Sequence, residues 1–68
     1  MTMGSRTRRQ AESAVPDQLR RTRQALAEAR RRFDQTREPE LIEACIFEMN
    51  ALQARCAWLQ RRLREAEA

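Results

Sequence analysis

An apolar heptad repeat in the C-terminal half of the chain is the feature that most constrains the fold. Between residues 39 and 63, apolar residues recur at alternating steps of three and four. This is the spacing of a helix that packs lengthwise against another helix. The positions in the repeat are Ile42, Cys45, Met49, Leu52, Cys56, Leu59 and Leu63. The repeat therefore predicts a long helix with a helical partner.

A second apolar row with the same spacing lies on another side of that helix. Its members are Ala44, Phe47, Ala51, Ala54 and Trp58. We refer to these five residues as the aromatic row, and at about 100° per residue they lie roughly 150° around the helix from the first row. One helix therefore has two surfaces to bury. Arg55 borders the aromatic row, and we expect it to stack on Trp58 or to pair with Glu48.

A thinner seam of the same period precedes the long helix. Its large members are Leu19, Leu26 and Phe33, which lie seven residues apart. Pro16 suits the first turn of a helix, and the neighbouring Asp17 would meet the positive end of the helix dipole. We therefore predict a first helix at residues 16–34.

The segment between the two repeats predicts a turn. Residues 35–38 lack the apolar period, and Pro39 disfavours helical backbone at Glu38 while fitting the first turn of a new helix. A connection this short normally makes two helices antiparallel neighbours. We predict an all-α fold in which residues 15–66 form an antiparallel, coiled-coil-like hairpin, with the second helix at residues 39–66.

The two seams match in register when the turn centres near Arg37. Leu26 then lies opposite Met49, and Leu19 lies opposite Cys56. Together the ten large seam residues of the two helices are the predicted core seam of the hairpin.

A lone hairpin of this size offers nothing to cover the aromatic row. Chains of about 70 residues or fewer usually need a disulfide, a metal or a partner chain for stability. We therefore predict a homodimer in which two hairpins pair into a four-helix bundle. The alternative is that the N-terminal segment folds over Trp58 while Phe47 stays half-exposed, as single surface aromatics often do.

The cysteines and the composition argue against a metal, a cofactor or a catalytic site. Cys45 and Cys56 would lie about 16 Å apart on one helix, which is beyond the reach of a disulfide. The sequence has no histidine and no CxxC spacing, so the common zinc ligand sets are missing. We expect both thiols to act as small apolar side chains, and without a convergent acid and base we expect the chain not to be an enzyme.

Positive charge is concentrated in the N-terminal half of the chain. Residues 1–37 carry ten arginines against four acidic residues, a net charge of +6, whereas residues 38–68 carry a net charge of −2. Residues 1–14 have no apolar period, and we predict that they form a mobile basic tail. The arginines that could contact nucleic acid are Arg6, Arg8, Arg9, Arg20, Arg21 and Arg31. The alternative is that these arginines are simply solvated.

No segment of the sequence favours a membrane location. The longest apolar run, residues 44–47, is far too short to span a bilayer, and no apolar segment follows the N-terminal arginines. Neither predicted helix opposes a broad apolar face to an arginine-rich one. We expect a cytoplasmic protein, which also fits two unpaired cysteines.

Several short motifs resemble those of the YaaL-like family of short bacterial proteins. They are Pro39-Glu40-Leu41-Ile42-Glu43, Ile46-Phe47-Glu48-Met49-Asn50-Ala51, Arg55 and Trp58-Leu59, preceded by Leu19 and Phe33. The resemblance covers about residues 17–64, and Cys45, Ala54 and Cys56 depart from the family pattern. The family is a domain of unknown function, so the resemblance implies no catalytic residue.

The function that these patterns favour is that of a small helical interaction or adaptor protein. It would self-associate through the second helix and present helix faces to an unidentified protein partner. The alternative is a nucleic-acid-binding accessory protein that uses the arginine-rich N-terminal half.

Overall fold

The chain folds as an all-α antiparallel hairpin, as the heptad repeats predict. The computed structural model describes the backbone of residues 3–67 and the side chains of residues 14–67. Helix α1 spans Met3–Gln35 and helix α2 spans Pro39–Glu67, and the two helices pack against each other. No strand is found in residues 3–67.

The turn between the helices follows the chemistry of its residues. The amide of Thr36 donates to the carbonyl of Arg32 at 3.0 Å and completes the last turn of α1. The amide of Ile42 donates to the carbonyl of Glu38 at 2.9 Å and opens α2. Pro39 is the first residue of α2, where its missing amide hydrogen costs nothing. Residues 36–38 therefore form the turn, within one residue of the prediction.

The N-terminal bound of α1 differs from the predicted start at residue 16. The helix begins at Met3, and Pro16 lies inside it. Proline there lacks the amide hydrogen that would bond to the carbonyl of Glu12, but its fixed φ is compatible with helix. Arginine, glutamine, alanine and glutamate dominate residues 6–14 and are good intrinsic helix formers. The mobility predicted for residues 1–14 stays a prediction.

The buried core lies at the end of the hairpin away from the turn. The core cluster consists of Val15, Leu19, Cys56 and Leu59, with Leu63 packed against it. Leu59 is the most buried large side chain, with 2% of its surface exposed. The predicted opposition of Leu19 and Cys56 fits their membership of one cluster.

Small residues in α1 explain why the core thins towards the turn. Thr22, Leu26 and Ala29 are buried on α1, but Thr22 and Ala29 offer little apolar surface to α2. The hydroxyl of Thr22 donates to the carbonyl of Gln18 at 2.7 Å, so its burial leaves no polar group unpaired. The remaining predicted seam residues are only half-buried: Phe33, Ile42, Cys45, Met49, Leu52 and Leu63.

The hairpin is a single layer of helices. Its principal extents are 53 × 26 × 14 Å, and the smallest of these is close to the diameter of one helix with its side chains. Each helix can therefore bury only the side that faces the other helix. Among the described side chains, none covers the other sides of α2.

Replacing Leu59 with alanine should test the position of the core. We expect the free energy of unfolding to fall by about 2–5 kcal/mol, because a fully buried leucine leaves a cavity when it is truncated. Urea unfolding followed by circular dichroism at one fixed protein concentration measures the change. The exposed neighbour Gln60→Ala is the control and should change the free energy by less than about 0.5 kcal/mol. Equal effects of the two substitutions would contradict the packing.

Candidate protein-interaction surface on the second helix

The aromatic row of α2 is exposed along its whole length. Phe47 is 67% exposed and Trp58 is 49% exposed. The three alanines of the row, Ala44, Ala51 and Ala54, are exposed as well. Neither α1 nor the described part of the N-terminal segment covers these side chains. The alternative in which that segment folds over Trp58 finds no support among the described residues.

Two further apolar side chains enlarge this surface, and the sequence analysis did not assign them to it. Leu41 is 54% exposed and Ile46 is 42% exposed. They lie on either side of the core seam and widen the exposed apolar surface at the start of α2, between the exposed side chains of Glu40, Glu43 and Glu48. The dense apolar composition of residues 41–47 was the signal that could have identified both residues.

An open groove lies beside the row near the turn. It has a volume of about 410 Å³ and is lined by Arg32, Gln35, Thr36, Leu41, Ala44, Cys45 and Glu48. Leu41, Ala44 and Cys45 supply its apolar floor, and polar groups from α1 and the turn form its rim. A groove of this kind suits the side chain of another protein that packs along α2.

An ion pair joins the two helices at the edge of the groove. The guanidinium of Arg32 donates a hydrogen bond to the carboxylate of Glu48. This hydrogen bond, together with the negative charge of Glu48, raises the pKa of Arg32 above its ordinary value. Both side chains are about half-exposed, so the pair fixes the position of charge at the groove more than it stabilises the fold.

The environment of Trp58 differs in one contact from the expectation. The guanidinium carbon of Arg62 lies 5.2 Å from the centre of the Trp58 ring, a cation–π distance. We expected Arg55 in that position, or paired with Glu48, which instead binds Arg32. Arg55 lines a shallow depression beside Trp58 together with residues of α1. The indole therefore has a charged neighbour on α2 and an open approach from solvent.

Three of the six arginines proposed for nucleic acid have side chains that the structure describes, and two of them pair with an acidic residue. Arg20, Arg21 and Arg31 are all exposed on α1. Asp17 binds both Arg20 and Arg21, the latter at 3.4 Å between Nη2 and Oδ2. This local pairing reduces the positive charge of that part of α1. The side chains of Arg6, Arg8 and Arg9 lie outside the described residues.

The thiols, the metal-binding side-chain types and the apolar stretches complete the account of the described residues. Cys45 is half-buried, Cys56 is buried, and both are free thiols. Within the described part of the chain, no three side chains of the metal-binding types come together as a site. Over the same residues, neither helix has an apolar stretch long enough to cross a bilayer.

Comparisons of the chain with protein-family models, with curated proteins and with solved structures give no match. The resemblance to the YaaL-like family therefore stays a prediction. The function has to be inferred from the exposed apolar surface of α2 itself.

Proposed function

We propose that this chain is a non-enzymatic helical interaction module that self-associates through the aromatic row of α2. The observation that carries the proposal is the exposure of Phe47 and Trp58, at 67% and 49%, on a hairpin with no further side to cover them. In the proposed dimer the two α2 helices meet at the centre and the two α1 helices lie outside, which gives a four-helix assembly. Membership of the YaaL-like family and a cytoplasmic location belong to the same proposal.

The energy available from the aromatic row suits a reversible dimer. Burying a large apolar side chain contributes about 1.5–3 kcal/mol, so the four aromatic side chains of a dimer contribute at most about 6–12 kcal/mol. Association costs about 4–15 kcal/mol in lost freedom of motion. The aromatics alone therefore support only a weak dimer, and the affinity depends on how closely the alanines of the row let the two helices approach.

The groove next to the turn provides a place for a different protein. It is lined by α1, the turn and α2, so it stays partly accessible when α2 pairs with another copy through the aromatic row. A helix or an extended segment with an apolar anchor and a charged group near Arg32 and Glu48 would suit it. We propose that the dimer presents this groove to an as yet unidentified protein partner.

Charged substitutions in the aromatic row should separate the proposed dimer. We expect the wild-type chain to sediment as a dimer at micromolar concentration and the double variant Phe47→Glu, Trp58→Glu to sediment as a monomer. The reason is that a dimer would bury four carboxylates in an apolar contact. Sedimentation equilibrium over a range of concentrations measures the change.

A matched control adds the same charge to α2 away from the row. Gln53→Glu with Gln60→Glu changes two exposed residues of the same helix and should leave the dimer intact. Circular dichroism shows whether each variant keeps its helices. A wild-type chain that is monomeric at all these concentrations would contradict the proposal.

Nucleic-acid binding is the second candidate function, and the uneven distribution of charge favours it. Residues 1–37 carry a net charge of +6, and the arginines of α1 from Arg20 onward are exposed. Because α1 lies on the outer side of the proposed dimer, these arginines would remain accessible. The two candidate functions can therefore coexist on different helices.

A titration with labelled duplex and single-stranded DNA at two salt concentrations tests this second function. If arginines bind phosphates, affinity should fall steeply as salt rises, by about one power of ten for each tenfold rise in salt per phosphate contacted. The variant Arg20→Gln, Arg21→Gln, Arg31→Gln should then bind more weakly with a smaller salt dependence. The control Arg64→Gln removes charge from α2 away from the aromatic row and should bind like the wild-type chain. No binding at low salt would exclude this function.

A further inference from the structure

We infer that the two copies pair through antiparallel α2 helices, with a two-fold axis that lies in the contact midway between Ala51 and Ala54. In this register each Phe47 lies against the partner's Trp58. The inference rests on the proposed function, and it adds the orientation, the register and the contacts of the dimer. Three observations support it: the spacing of the row, the charges along its edges and the exposure of all the residues concerned.

The last four residues of the aromatic row have the same pattern in both chain directions. They are large, small, small and large, at steps of four, three and four: Phe47, Ala51, Ala54 and Trp58. An isologous two-fold contact requires a surface that is complementary to itself. When two copies run antiparallel about the midpoint, Ala51 lies opposite the partner's Ala54, and the aromatic residues meet at both ends. The alanines permit a close approach of the helix axes, and the two Phe–Trp pairs bury the largest exposed side chains.

Opposite charges face each other along one edge of the row in this arrangement. Glu43 and Arg61 are eighteen residues apart, which is about five helical turns, so they lie at the same angle and about 27 Å apart along α2. When two helices pair antiparallel about a two-fold axis, this edge of the row on one helix meets the same edge on its partner. Glu43 then lies opposite the partner's Arg61, and the symmetry repeats this contact at the other end. Both side chains are exposed in the single chain.

The other edge of the row is also complementary. Glu48 and Arg55 are both exposed on that edge, and the same two-fold axis brings Glu48 within about one helical turn of the partner's Arg55. Glu48 already binds Arg32 of its own chain. The second arginine would extend this pair into a short network at the centre of the dimer.

A parallel arrangement lacks these contacts. In a parallel pair, one edge of the row meets the other edge of the partner's row at the same position along the helix. Arg61 would then approach the partner's Arg62, and no arginine of the partner would lie near Glu43. Phe47 would also lie against the partner's Phe47, with the alanines forming a gap between two bulky layers. Like charges across a helical contact disfavour such a pair.

The antiparallel register has one unfavourable contact at each end. Glu40 lies opposite the partner's Glu65, near the helix termini. Arg61 and Arg62 lie within about one turn of Glu65 on the same helix, so their positive charge offsets this repulsion. Both acidic residues are exposed at the rim, where solvent and salt weaken the interaction.

Charge reversal at Glu43 and Arg61, followed by mixing, tests the register. Glu43→Arg places like charges opposite each other twice in a homodimer, and so does Arg61→Glu. We expect each single variant to dimerise at least about tenfold more weakly than the wild-type chain. An equimolar mixture of the two variants should recover most of the wild-type affinity, because every arginine then faces a glutamate. Sedimentation equilibrium at low salt, with one variant fluorescently labelled, measures this recovery.

The mixture separates contacts between chains from effects within a chain. Changes in helix stability are present in both members of the mixture, so only contact between residues 43 and 61 of different chains produces recovery. The double variant Glu43→Arg, Arg61→Glu should also dimerise with nearly wild-type affinity, and it keeps the test valid if a single variant folds poorly. The control variants Glu38→Arg and Arg23→Glu carry the same charge changes away from the row and should dimerise like the wild-type chain.

The outcomes distinguish the register from the proposed function. A wild-type dimer whose single variants are unaffected, or whose mixture fails to recover, overturns the antiparallel register and leaves self-association intact. A wild-type chain that is monomeric overturns both. Recovery in the mixture, with unchanged control variants, establishes the register.

Discussion

Apolar surface on two opposite sides of α2 is the constraint on which the rest of the structure depends. Helix α1 covers one side, and the best-buried residues, Leu19, Cys56 and Leu59, lie where the two helices meet. The hairpin is only 14 Å thick, so the side that carries Phe47 and Trp58 remains in water. Because hydrophobic burial is the main favourable term in both folding and association, this surface is what makes a partner energetically favourable.

The two helices differ in how their apolar and charged residues are distributed. α1 has one narrow apolar seam, interrupted by Thr22 and Ala29, and its exposed sides are rich in arginine. α2 carries most of the large apolar residues and the acidic residues that flank them. The core is consequently strongest near Leu59 and weakest near the turn, where Leu41 and Ile46 stay exposed. The end of the hairpin with the thinner core is thus also the end that carries the groove.

Much of the fold could be predicted from the sequence because its strongest signals are local. The heptad spacing indicated two helices, and Pro39 fixed the start of α2. The start predicted for α1 at Pro16 was wrong, because a proline that suits a first turn can also lie within a helix when good helix formers precede it. Choosing between Arg55 and Arg62 as the neighbour of Trp58 was beyond sequence reasoning, since both lie within a turn of it and the side-chain conformation decides. Leu41 and Ile46 were missed because each belongs to neither row.

The most direct test of the account uses Trp58, the only tryptophan of the chain, as a probe of its own burial. Its fluorescence and its quenching by iodide can be followed while the protein is diluted from about 100 μM to below 1 μM, a range in which a reversible dimer dissociates. The account predicts a shielded indole at high concentration that becomes open to iodide as the dimer dissociates. An indole that is equally accessible, or equally shielded, at every concentration would contradict it.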